Sequence, residues 1–308
     1  MSGGLQRIYN SKIRSTRALT KVFRAQELIA SSRIGSARSQ QAAAEPYADA
    51  ITAAVSAVAI HDHNLDHPMT RHKPDNHRAA VLVLGSDRGM AGSYVGAIIR
   101  RAESLLATLK EEDPEKIIDL YVAGRRAVGY FKYRNQELAH EWVYGSDHPT
   151  LDVCTEVANT LLDAFLLSTE RGGVGEVYVV YTKFISLVAQ EPRVVRILPL
   201  EIVNTEVTES GEPATKEQRR EYPLYDFEPY EGLVLDALLP RYVAARVRSF
   251  MLEAAASEVA SRQRAMHAAV DNAHQMIIKY SRYANAARQN DITQELTEIV
   301  SGADALGS

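Results

Sequence analysis

The octapeptide SDRGMAGS, residues 86–93, follows a short apolar run and precedes a helical pattern. Phosphate-binding loops sit at such places, because helix N-termini offer unpaired backbone N–H groups to an anion. It is not a P-loop, since no Gly-Lys-Ser/Thr follows, and Gly89 and Gly92 have the wrong spacing for a dinucleotide-binding fingerprint. The residues favour a tight turn whose glycines take positive φ, with Asp87 and Arg88 anchoring neighbouring segments. A second candidate is HDHNLDH, which brings His61, His63 and His67 together. His63 and His67 stand one helical turn apart and could share a metal. Pro68 and the further His72 and His77 point instead to a solvated linker. Cys154 is the only cysteine, so no intrachain disulfide can form. It lies in an apolar helical pattern with no histidine beside it, which suits a core thiol better than a nucleophile. No G-x-S-x-G or paired-carboxylate pattern occurs. No catalytic residue, metal or cofactor is therefore assigned.

The elements around these residues fall into three parts. From about residue 5 to 61 the only proline is Pro46, and steps of three and four select Ile8, Ser11, Ser15, Ala18, Val22, Ala25, Ile29, Ser32 and Ser36. All are apolar or small, as on a helix face that meets another helix. From about residue 229 to the end a near-heptad stripe runs through Met251, Ala255, Val259, Met266, Val270, Ala273, Ile277, Tyr280, Ala284 and Ala287, with Arg262 in one slot. A pattern held this long indicates a coiled coil. After Ala287 its phase slips and resumes at Ile292, Leu296, Ile299 and Ala303, which changes the supercoil locally or marks where the helix leaves its partner. Neither Gly nor Pro occurs between Pro240 and Gly302. About 60 residues at about 1.5 Å each make a rod of roughly 90 Å, longer than a globule of this chain length is wide. A helix that long needs packing along its length, and the N-terminal segment is the partner at hand.

The middle alternates. Residues 78–85 (RAAVLVLG) and 117–124 (IIDLYVAG) read as buried strands, and 176–187 and 192–200 as a strand pair joined near Gln190. Residues 97–110, a stretch from Arg125, and 151–169 read as helices. Such alternation predicts a small, mainly parallel α/β sheet. Residues 204–222 are polar and read as a surface excursion.

Composition is that of a folded protein, 46% hydrophobic and 24% charged over 308 residues. The net charge of −4 argues against a general nucleic-acid binder. No run approaches about 18 apolar residues, and MSGGLQRIYNSK lacks the apolar core of a signal peptide. Charge is unevenly spread. Residues 1–40 hold eight Lys/Arg and the single acid Glu27, a net +7, whereas residues 289–308 hold four acids and no Lys or Arg. Such asymmetry suggests docking to charged partners.

These residues carry a family resemblance along the whole chain. ARQNDITQELTEIVSGADAL (287–306) resembles the C-terminal signature of the gamma subunit of F-type ATP synthases, in Ile292, Thr293, Glu295, Gly302, Ala303, Ala305 and Leu306. EAAASEVASRQRAMHAAVDNA (253–273), YDFEP with LDALLPRYV (225–229, 235–243), KVFRAQELIASSR (21–33) and the Ser-Asp-Arg-Gly turn are similar to further family segments. Met90 and Ala91 stand where leucine and cysteine are common, so no role of that cysteine carries over. Val-Phe-Arg replaces the usual Ile-Thr-Lys after Lys21, with the basic charge kept at Arg24.

The resemblance implies an α+β fold: a long antiparallel two-helix coiled coil from the N- and C-termini with an inserted Rossmann-like α/β domain. Its expected parts are an N-terminal helix over 1–62, the inserted domain over 75–225 and a C-terminal helix over 228–308. It further implies a non-catalytic central-stalk rotor that couples proton flow through a membrane c-ring to ATP synthesis at beta-subunit sites and regulates ATPase activity. The implied partners are three alpha and three beta subunits, an epsilon subunit and the c-ring, with one copy of this chain per complex. No nucleic acid, small-molecule substrate, cofactor or metal is implied. The implied location is peripheral, at the cytoplasmic face of the cell membrane. By position, Arg288, Gln289, Thr293 and Glu295 match the family's catch on a beta subunit. Lys21 and Arg24 match its passage by the acidic beta lever. Ile292, Leu296, Ile299 and Val300 match the apolar bearing, and Asp87, Arg88, Gly89 and Gly92 the structural turn. Two other readings compete: a nucleotide-binding α/β enzyme, which requires the 86–93 turn to take phosphate, and a coiled-coil adaptor, which requires a stable homodimer.

Overall fold

The computed structural model describes residues 3–61, 67–200 and 231–306. The polar excursion at 204–222, the 225–229 segment and His63 lie outside them. The two longest elements are the terminal helices, α1 (Gly3–His61) and α5 (Glu231–Leu306). Between them come β1 (Arg78–Leu84), α2 (Tyr94–Glu112), β2 (Ile117–Ala123), α3 (Arg125–Tyr133), β3 (His140–Trp142), α4 (Leu151–Leu166), β4 (Glu176–Phe184) and β5 (Gln190–Leu198). The expected class holds: long helices from both termini and a sheet domain inserted between them. The chain forms two compact units, Met1–Ser32 with Arg262–Ser308, and Arg33–Ser261. Each terminal helix contributes to both.

The first unit is a helix pair. Tyr9 of α1 stacks on Tyr280 of α5 at 6.4 Å between ring centroids and meets Tyr283 at 5.5 Å. Further along, Glu27 meets His267 at 2.9 Å. Numbers rise on one helix as they fall on the other, so the pair is antiparallel. On α5 the expected stripe is the one that turns inward: Met266, Val270, Ala273, Ala284 and Ala287 are buried, and Ile277 and Tyr280 half-buried.

On α1 the expected seam is wrong. Ile8, Val22 and Ile29 are 51%, 50% and 46% exposed, and the serines of that stripe are exposed too. The inward face is Gln6, Tyr9, Ile13, Thr16, Thr20, Phe23, Glu27 and Ala30. It too repeats in threes and fours, so spacing alone could not choose between the two. Side-chain area decides: Tyr9, Ile13 and Phe23 with Ala30 remove more apolar surface from water than Ile8, Val22 and Ile29 set among four serines and two alanines. Glu27 is tolerated there because Arg24 and His267 both satisfy its carboxylate, at 2.9 Å each.

The second unit has three layers. Its sheet runs in the order β3-β2-β1-β4-β5. The first four strands are parallel, and β5 pairs antiparallel with β4 as the expected hairpin. β1 is buried at every position but its first, as a central strand covered on both faces must be. On one face Val81, Val83, Val122 and Val180 pack with Ile98, Ala102 and Leu109 of α2 and Phe131 of α3. On the other, Leu82, Leu84, Val177 and Val179 pack with Leu161 and Phe165 of α4, with Val243, Val247 and Phe250 of α5, and with Val58 of α1. Cys154 lies in this second core with its thiol pushed up to about 11 by burial, which leaves it inert. The sequence does not predict the strand β3. It is three residues long, His-Glu-Trp, and offers no apolar run to read.

Candidate functional site

Where a doubly wound sheet binds ligands, beyond the C-terminal ends of its strands at the point where strand order reverses, this chain places its own helix. The reversal falls between β1 and β4. There Ser257 of α5 donates from Oγ to the Thr182 carbonyl at 3.1 Å, and Tyr94 donates from Oη to the Ala254 carbonyl at 3.2 Å. Ser257 and Glu258 are fully buried. The crevice is filled.

The 86–93 turn is organised around an acid. Asp87 accepts from the backbone N–H of Arg125 at 2.9 Å, of Tyr144 at 3.1 Å and of Ser146 at 3.0 Å, and its own N–H donates to the Ser146 hydroxyl at 2.8 Å. A carboxylate therefore holds the donors, and its negative charge opposes a bound phosphate. Close packing fixes the glycines nearby. A Cβ on Gly85 would stand 2.6 Å from that of Ala127, and Gly124 takes φ 105° with no room for a side chain. Within the turn, Gly92 has φ 59°, but the other positive φ belongs to Met90 (61°), not Gly89. Beside it lies an open cleft of about 540 Å³, lined by Gly89, Gly92, Arg100, Glu103, Arg126 and Tyr130.

The turn also reaches α1. Arg88 donates to Asp147 at 3.2 Å, and Arg33 of α1 pairs with the same carboxylate. Gln40 of α1 meets His148 at 2.6 Å, and the Arg38 guanidinium stands 6.0 Å over the Phe184 ring. The sequence does not single out Asp147, although Arg88 is expected to anchor a neighbouring segment. YGSDHP reads only as a turn, and nothing local tells that its acid will face Arg33.

The histidines do structural work. His67 accepts from the Met69 N–H at Nδ1, 3.0 Å, and its Nε2 faces Asp236 at 2.9 Å, so both ring nitrogens are engaged. His77 pairs with Asp113, whose hydrogen bond raises its pKa. Among the described residues no group of three potential ligands could hold a metal ion.

The residues expected on the shaft are exposed. Lys21 faces solvent, and Arg24 bonds Glu27 while keeping over half its side chain in water. That carboxyl is held below the usual carboxylate range, chiefly by the His267 hydrogen bond. On α5 no position from Arg288 to Val300 is buried. Arg288, Gln289 and Glu295 point to water, and Thr293 bonds back to the Gln289 carbonyl at 2.9 Å. Ile292, Leu296, Ile299 and Val300 are exposed as well, up to 67% at Ile299. The buried stripe thus ends at Ala287, where the sequence pattern slips.

Fold and site together define a class: a protein whose terminal helices pair, whose sheet domain is plugged by its own chain, and whose last helical turns expose apolar residues. A family profile described as ATP synthase matches residues 6–306. The ATP synthase gamma chain of Beutenbergia cavernae is 52% identical over 305 residues, covering 99% of each chain. That of Arthrobacter sp. is 49% identical over 306 residues, again covering 99% of each. The chain belongs to the ATP synthase gamma-chain family. In fold it resembles a chain of the Euglena gracilis mitochondrial ATP synthase, with a TM-score of 0.61 at 12% identity, covering 99% of this chain and 95% of that one. A chain from the central stalk and c-ring of the Tetrahymena thermophila enzyme gives 0.56 at 15% identity, covering 80% and 99%. Among the described residues no helix is long and apolar enough to cross a membrane.

Proposed function

We propose that this chain is the central-stalk rotor of an F-type ATP synthase, coupling proton flow through a membrane c-ring to ATP synthesis at the beta subunits and regulating ATPase activity. It is a non-catalytic part of that machine, present once per three alpha and three beta subunits, with an epsilon subunit beside it. It sits peripherally at the cytoplasmic face of the cell membrane. The observation that carries this reading is the free end of α5. A helix of 76 residues keeps its apolar stripe buried up to Ala287, then exposes four large aliphatic side chains over the next turns. Water alone would not favour that pattern, whereas a surrounding sleeve would. Family membership supports the identity of the sleeve.

In this reading residues 1–62 and 228–308 form the shaft, and 75–225 the inserted domain. Ile292, Leu296, Ile299 and Val300 form the bearing. Arg288 and Gln289, with Thr293 and Glu295, form the catch on one beta subunit. Lys21 and Arg24 face the acidic beta lever. Asp87, Arg88, Gly89 and Gly92 are structural. The shaft selects among three chemically identical sites by making different contacts at each angle, and nucleotide occupancy biases the angle in return.

The test is reconstitution of the chain with alpha and beta subunits. One copy per three beta subunits is expected, and a stable homodimer of the free chain would instead favour an adaptor. Arg288→Ala with Gln289→Ala should lower ATP-driven proton pumping and ATPase rates about fivefold or more, the low end of coupling between sites. Wild-type rates of both would remove the catch.

A further inference from the structure

We infer that Asp147 is a positioning residue that ties α1 to the inserted sheet domain, so that torque entering that domain reaches the N-terminal helix as well as α5. The inference rests on the rotor reading. It starts from an imbalance in how the two terminal helices are held within the second unit. α5 is gripped by the core, with Leu239, Val243, Val247, Phe250, Met251 and Ala255 all buried. α1 is not. Between residues 33 and 50 its only buried side chain is Ala37, and apolar burial resumes at Ile51. Ala37, with the half-buried Ile34, Ala44 and Ala48, gives several turns of helix little apolar grip against a lateral load.

Polar contacts hold this stretch instead, and they converge on one loop. Asp147 is 9% exposed and receives Arg33 from α1 and Arg88 from the turn after β1. The next residue, His148, meets Gln40 two helical turns further along α1. The loop is itself immobilised. Asp87 binds the N–H groups of Tyr144 and Ser146, and Tyr144 Oη donates to the Gly85 carbonyl at 3.2 Å. Ser146 is buried, and Gly124 N–H donates to the Trp142 carbonyl at 2.8 Å. The path runs from the ends of β1 and β2, through the Asp87 carboxylate, to the Asp147 carboxylate and onto α1. Two arginines on one buried acid make a directional tie, because guanidinium groups bond along fixed directions. The Ser-Asp-Arg-Gly turn then has a use that its resemblance to phosphate loops hides. Its aspartate shapes the loop and its arginine completes the tie.

Two measurements on the full chain test this. In the free chain, Asp147→Ala should speed amide hydrogen exchange in α1 over residues 33–45 by about fivefold while leaving β1 and α4 unchanged, as expected of a local opening. In the reconstituted membrane complex it should lower the ratio of ATP-driven proton pumping to ATP hydrolysis by about fivefold. Asp147→Glu should recover part of it. A second variant guards against misfolding: Arg33→Cys with Asp147→Cys should couple poorly when reduced and recover when a short thiol crosslinker joins the pair. Cys154, buried and with its thiol near 11, does not compete for the reagent. Wild-type exchange and a wild-type ratio in Asp147→Ala overturn the inference, as does a crosslinked pair that stays uncoupled. Failure of the wild-type chain to support pumping at all overturns the rotor reading instead, and the coupling role falls with it.

Discussion

Single side chains in this protein are placed by the partners they meet across large sequence separations. Glu27 is the example in the helix pair: a nearly buried acid, bonded by Arg24 one turn before it and by His267 from the opposite helix. Glu27→Gln keeps the shape and removes the charge, and should destabilise the chain by about 1 kcal/mol at pH 7. Because its pKa is lowered on folding, its contribution is present above the ordinary glutamate pKa and is lost as pH falls through the lower folded value. Chemical denaturation of both chains should therefore differ at pH 7 and converge below about pH 4. If the difference persists in acid, the charge is not the cause. Gly85 makes a steric case. Any Cβ there meets Ala127 at 2.6 Å, so Gly85→Ala should cost about 2 kcal/mol, as overpacked cores do, read as a lowered denaturation midpoint.

At the level of elements, α5 changes character along its length. Up to Ser261 it is core, to Ala287 it is one half of a pair, and beyond that its described side chains lie in solvent. A chain ending at Ala287 should consequently melt within about 2 °C of the full chain, because exposed positions contribute little to stability. It should nevertheless fail to support ATP-driven pumping under the proposed function. A large drop in melting temperature would mean that the last turns pack on something within the chain. α1 carries the opposite lesson. It has two stripes in the same repeat, and the one that faces outward contains Ile8, Val22 and Ile29.

Across the whole molecule, stability should be unequal. The second unit has two aliphatic cores flanking a mainly parallel sheet, while the helix pair of the first unit is sealed by alanines, threonines, a few aromatics and the scattered aliphatics Ile13, Met266 and Val270. Burial per residue is lower in the pair, so its amides should exchange earlier than those of β1 and α4. Hydrogen exchange with mass spectrometry on the full chain would show this as faster uptake over residues 3–32 than over 78–84. Equal protection would mean that the two units unfold as one.

Much of this was legible in order along the chain. Helical periodicity with few breakers determines two long terminal helices; Pro46 falls inside α1 and Pro240 inside α5, and neither ends its helix. Apolar runs closed by Gly85 and Gly124 determine the parallel strands β1 and β2, and the slip after Ala287 marks the end of the buried stripe. The C-terminal signature determines the family. What the residues left undecided was every choice between equivalents. Two faces of α1 repeat alike, and only the volume facing α5 selects Tyr9, Ile13 and Phe23. A glycine-containing turn after a strand suits a phosphate or an aspartate, and only the neighbouring loop shows Asp87 taking the donors. Asp147 has no local signal because its meaning lies in Arg33, 114 positions away. Periodicity is written in the spacing of neighbours, whereas partnership is settled when the sheet brings distant segments to one edge.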